Sequence, residues 1–136
     1  MSFIEFSPRE RDHNATQHYA IGGGWGDAIN WFIPDQFAKP CTDETLYNVY
    51  GFKSRRPEVG DLLFSKHEQS DMIFLFVEVE HKRDPRDMFF AKVKPVSQRM
   101  LADGQTKSIT HPLLKQDELH KMWQANPIRT PSATKH

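Results

Sequence analysis

The stretch Gly22-Gly23-Gly24-Trp25-Gly26-Asp27 gathers four of the chain's seven glycines around one tryptophan. Glycine lets a backbone take positive φ or approach a ligand closely. An indole beside it is a stacking platform for a base or an anchor for a protein partner. Gly23, Gly24, Trp25 and Asp27 are therefore candidate binding residues for a nucleotide, an anion or a partner. The stretch is not a P-loop, because no Lys-Ser/Thr pair follows it, and it lacks the G-x-G-x-x-G pattern between a strand and a helix. A turn with Trp25 packed inward explains the same residues without a ligand.

Basic residues fall in two clusters. Lys53, Arg55 and Arg56 precede Pro57, and Lys82, Arg83 and Arg86 lie between two apolar runs. Lys92 and Lys94 alternate with Phe90 further on. In a meander the two clusters come to the same end of the sheet and can join into one positive patch. Lys and Arg neutralise phosphates while aromatic rings stack on bases, which is the chemistry of a nucleic-acid site. Glu58, Asp84 and Asp87 are interspersed and cancel much of that charge, so a solvated rim is the competing reading.

Catalytic and metal signatures are weak. The seven histidines show no HxxxH, HxH or HExxH spacing, and Cys41 has no second cysteine with which to build a zinc site. Neither a metal nor any other cofactor is expected. Cys41 precedes an expected helix start, which lowers a thiol pKa, but no His or Asp partner is identifiable. A GxSxG elbow is absent. Glu78 and Glu80 are expected on one strand face, where solvent exposure accounts for both without acid–base work.

The elements that must position these residues centre on Pro57–Val96. Leu62–Ser65, Met72–Glu80 and Met88–Val96 read as three strands joined by polar connections. In the longest, Ile73, Leu75, Val77 and Val79 are expected on one face, and Met72, Phe74, Phe76, Glu78 and Glu80 on the other. In the third, Phe89, Ala91 and Val93 face one way and Met88, Phe90, Lys92 and Lys94 the other. Phe3–Phe6 and Tyr19–Ile21 are short strand candidates, and Asp27–Ile33 fits a strand or a short helix. Leu46, Val49 and Tyr50 at helical spacing, with Gly51 behind them, predict a helix over Asp43–Tyr50. A second helix is expected over Lys115–Ala125. Asp117 and Glu118 lie early in it, Lys121 late, and Trp123 docks on the sheet. Gln98–Leu101 fits a short strand or a helical turn.

Length and composition bound the rest. The 136 residues suit one domain over 1–126, and the polar 127–136 reads as a flexible tail. Hydrophobic residues make up 38%, so the ten phenylalanines must supply much of the core. Eighteen basic residues balance eighteen acidic ones, which argues against a general nucleic-acid or membrane-surface binder. A single cysteine excludes an internal disulfide, and a reducing cytoplasm fits best. No apolar run suits a signal peptide or a membrane span, and no membrane partner is expected.

Gly60-Asp61-Leu62-Leu63-Phe64, followed by two long strands, resembles the lead-in to many small β-barrels, SH3-like and PUA-like domains among them. The resemblance covers about a third of the chain. It implies a fold and assigns no functional residue. The expected architecture is α+β: a small antiparallel, barrel-like sheet with two short helices packed against it. The expected function is a small non-enzymatic binding module of the inhibitor or adaptor type that docks on a protein. Two alternatives stay open. One is a nucleic-acid or nucleotide-binding barrel using the glycine loop and the Arg/Lys clusters. The other is an enzyme with its site at that loop. Oligomeric state is not readable.

Overall fold

The computed structural model describes residues 16–24, 27–31, 46–53, 56–82 and 88–129. Eight strands and one helix lie among them. The strands are β1 (His18–Ala20), β2 (Gly22–Gly24), β3 (Asp27–Trp31), β4 (Tyr47–Phe52), β5 (Leu62–Lys66), β6 (Ser70–His81), β7 (Met88–Met100) and β8 (Thr106–Ser108). The helix, α1, spans Gln116–Ala125. Across the sheet the order is β1-β5-β6-β7-β4-β3-β2, and β8 pairs with the later half of β7. All pairs are antiparallel except β1 with β5.

That order forces curvature. β1 and β2 occupy opposite edges, yet only Ile21 separates them in the chain. Laid flat, seven strands would put the edges roughly 29 Å apart, whereas one intervening residue spans at most about 7 Å. The sheet therefore curls into a nearly closed barrel. Ile21 N–H donates to the Phe64 carbonyl at 2.9 Å as it crosses the seam. Gly22 and Gly23, with φ of 99° and 128°, make the adjoining bend.

Side-chain alternation fills two cores. Met72, Phe74 and Phe76 of β6 point into the barrel with Leu63, Phe89 and Val93. Trp31 and Tyr47 meet Phe74 there, with centroid distances of 5.1 and 5.5 Å. Leu62, Phe64, Ile73, Leu75 and Val96 point outward and are covered by Leu119 and Met122 of α1. This is why the first half of β6 is apolar on both faces. Trp123 docks on the sheet as expected. Its indole N–H donates to Ser97 Oγ at 3.0 Å, and its ring meets Phe64 at 6.2 Å. Asp117 and Glu118 sit in the first turn of α1, whereas no basic residue lies in the last; Lys121 instead pairs with Glu118 at 3.2 Å.

The Gly-Asp-Leu-Leu-Phe lead-in has a local cause. Gly60 takes φ 98°. The buried Asp61 carboxylate then accepts the N–H groups of Glu58 (2.9 Å) and Gln17 (3.1 Å). One side chain thus closes the turn before β5 and pins the approach to β1.

Two expectations are corrected, and two open ones are decided. The helix expected over Asp43–Tyr50 is absent from its described part, where Tyr47–Phe52 is strand β4. Tyr47, Val49 and Gly51 are buried at a period of two, while Leu46 is 49% exposed. Aromatic and β-branched residues paired between β3 and β7 outweigh a helical spacing only three residues strong. Gln98–Leu101 proves to be mostly the continuation of β7, which runs to Met100. The even alternation expected along Met72–Glu80 is broken by a bulge between Phe76 and Glu78. It carries Val79 into the barrel, with Glu78 and Glu80 outside. Asp27–Ile33, open between helix and strand, is strand β3 as far as Trp31. Phe3–Phe6 lies outside the described residues.

Candidate functional site

The three connections that carry the candidate residues are bounded by strand ends at one rim of the barrel. Gly24 pairs with Asp27, Ala28 with Phe52, and Phe52 with Met88. Lys82 N–H donates to the Met88 carbonyl at 2.9 Å. Arg56 Nη1 donates to the Lys82 carbonyl at 3.1 Å, and His81 Nε2 donates to the Pro57 carbonyl at 2.8 Å. Lys53 Nζ stands 3.6 Å from Asp27 Oδ1. Gly23, Gly24, Asp27, Lys53, Arg56 and Lys82 thus gather at this rim, and Arg56 and Lys82 of the two basic clusters touch. Trp25, Arg55, Arg83 and Arg86 lie outside the described residues.

Gly23 and Gly51 have a packing role here. A Cβ on Gly23 would run into the Asp27 carbonyl, and one on Gly51 into the Ala28 carbonyl. Close approach of β2 to β3 and of β3 to β4 accounts for both positions.

Beside the rim a groove of about 590 Å³ opens on the outer face of β6, β7 and β4. It lies where α1 does not cover the sheet. Val79, Ala91 and Val49 point into the barrel, so their neighbours point out. Two cross-strand rows result: Glu78–Lys92–Asn48 and Glu80–Phe90–Tyr50. Tyr50 and Phe90 stack obliquely with centroids 6.4 Å apart. Lys92 Nζ donates to Asn48 Oδ1 at 3.4 Å. Lys82 reaches over from the rim. Its Nζ lies 5.1 Å from the Phe90 ring centroid and 3.1 Å from Glu80 Oε2.

The groove thus has Phe90 at its floor, with Tyr50 beside it, and charge of both signs around it. Glu78 and Glu80 line the β6 side, and Lys92 with Asn48 the opposite side. Sequence reasoning placed Phe90 with Lys92 and Lys94 on one face, which the structure shows. It missed Tyr50 and Asn48, which it assigned to a helix, and it split Glu78 and Glu80 from the face they occupy. The alternation Asn48, Tyr50, Phe52 within β4 was the available signal.

A second polar cluster is buried under the barrel's flank. Asp71, 1% exposed, accepts from Arg99 Nη2 at 3.0 Å and Arg129 Nε at 2.8 Å. Arg99 also donates to the Asn126 carbonyl at 2.6 Å and stacks on Trp123 at 4.4 Å. Arg129 donates to the His67 and Ser70 carbonyls. This network ties the segment after α1 to the β5–β6 hairpin. Arg129 is held by it. Burial lowers the His67 pKa below its ordinary 6.5; the Asp71 carboxylate opposes that and Arg129 adds to it.

Among the described residues, no three His, Cys, Asp or Glu side chains are grouped as a metal site would need. Cys41 lies outside the described residues. No described helix is long and apolar enough to cross a membrane. Compared with known protein families, curated proteins and solved structures, the chain matches none.

Proposed function

We propose that this chain is a non-enzymatic binding module that docks a protein partner in the outer groove beside the rim, in the manner of an adaptor or inhibitor. The observation that carries the reading is the groove itself: an outer face of the barrel that α1 does not cover, with Phe90 at its floor, Tyr50 beside it and both charge signs at its edges. Aromatic anchors bordered by polar groups are the usual anatomy of a protein interface. The SH3-like or PUA-like kinship belongs to this proposal, on the strength of Gly60–Phe64 leading into the barrel. The nucleic-acid alternative has less support. Among the described residues, Lys53, Arg56, Lys82 and Lys92 are matched by Asp27, Glu58, Glu78 and Glu80 around the same surface, and a phosphate backbone needs a net excess of positive charge.

A photo-crosslinking amino acid placed at Phe90, with Lys107 on the exposed β8 as control position, tests the reading in whole cells. One stoichiometric protein adduct from position 90, absent from position 107 and lost on competition by untagged wild type but not by Phe90→Ala, is the expected result. Adducts of equal yield from both positions overturn it. So does recovery of nucleic acid whose binding falls steeply with salt.

A further inference from the structure

The groove already holds a cation, and it is the protein's own. Lys82 Nζ sits over Phe90 and beside Glu80. A cation on an aromatic face with a carboxylate at its edge is a recognition site for a basic side chain. Glu78, one row deeper, is exposed and makes no ion pair or hydrogen bond among the described residues. Lys92 is drawn to the other side by Asn48. The groove is therefore polarised, with carboxylates on the β6 side and donors on the β4 side.

We infer that the docked segment presents an arginine to Phe90, Glu80 and Glu78, and that Lys82 is a built-in competitor which the arginine displaces. This rests on the docking reading above. Arginine suits the site better than lysine because its planar guanidinium can stack on Phe90 while its fork pairs with a carboxylate. Lys82 offers a single point charge, and the Glu80 carboxylate it pairs with is 68% exposed, so water screens the contact that holds it there. Its backbone contacts to Met88 and Arg56 are independent of the side chain. On the opposite side, Lys92 and Asn48 can donate to carbonyls of the docked segment.

The test titrates the full chain, labelled with ¹⁵N, with an acetylated and amidated Gly-Leu-Arg-Leu-Gly peptide and with the same peptide carrying neutral citrulline for arginine. The arginine peptide should shift the amides of Glu78, Glu80 and Phe90 and bind roughly threefold to tenfold more tightly than the citrulline peptide. Glu78→Gln with Glu80→Gln should abolish that preference, and Lys82→Ala should tighten the arginine peptide by about twofold to fivefold. Retained amide dispersion verifies the fold of each variant. Equal binding of the two peptides, shifts confined to another face, or unchanged or weaker binding in Lys82→Ala overturns the inference. If crosslinking at Phe90 still captures a competable partner, docking survives and the arginine assignment alone falls. If that crosslinking also fails, both fall.

Discussion

Asp71→Asn is the sharpest test of what holds the barrel's flank together. The substitution keeps the shape of the side chain and removes its charge. It leaves Arg99, whose side chain is 9% exposed, without its carboxylate. Removing one partner of a buried ion pair costs about 3–5 kcal/mol, because the remaining charge stays desolvated. The lower end applies, since Arg99 keeps the Asn126 carbonyl and the Trp123 ring. About 3 kcal/mol corresponds to roughly 10 °C in Tm for a chain of this size. Arg129→Ala should cost only about 1 kcal/mol or less, because that side chain is 26% exposed and water screens its pair. Replacing both Asp71 and Arg99, as Asp71→Asn with Arg99→Met, should cost less than the sum of the single changes. Urea unfolding with fixed m-values measures all three. An Asp71→Asn loss under about 1 kcal/mol, or strict additivity in the double variant, would show that the triad is not coupled as described.

Two further outcomes follow from packing and titration. Gly51→Ala should destabilise severely or prevent folding, since its Cβ meets the Ala28 carbonyl and lies 2.9 Å from Ile29 Cα; Gly24→Ala, with nothing within 4 Å, should change stability by no more than about 1 kcal/mol. Thermal unfolding of the pair decides it, and similar melting points would contradict the strand spacing. His67 has a folded pKa below its unfolded value near 6.5, so the unfolded chain takes up the proton first as pH falls. Its contribution to stability is complete above pH 6.5 and is lost as pH drops through the depressed folded value. His67→Gln should therefore flatten the stability profile on the acid side of neutrality. Parallel wild-type and variant curves between pH 5 and 8 would refute the assignment.

Much of the scaffold was legible because its signals are local. β5, β6 and β7 announce themselves by runs of β-branched and aromatic residues between polar turns. α1 does so by Leu119, Met122 and Trp123 at helical spacing. Meander geometry left open whether the two basic clusters meet, and in the structure Arg56 donates to the Lys82 carbonyl. The groove was only half legible. Phe90 and Lys92 were on the right face, but Tyr50 and Asn48 were hidden by a helix expectation, and Glu78 and Glu80 by an unseen bulge. The Asp71 network was not legible at all, since its arginines lie 28 and 58 residues away in the chain.

By itself, then, the sequence determined periodicity, turn chemistry, charge balance and the gathering of glycines at 22–26. These depend on each residue's own propensities and near neighbours. Only tertiary structure decided that Tyr47–Phe52 is a strand, that β1 and β2 close the barrel across Ile21, and that one extra residue at Val77 turns Glu78 and Glu80 outward beside Phe90. Each of those outcomes is set by pairing between distant segments, which supplies more free energy than a short local preference can oppose. The described residues of the glycine stretch and the basic clusters lie at one rim of the molecule. The barrel's curvature and the bulge in β6 placed an aromatic, charge-bordered groove beside it.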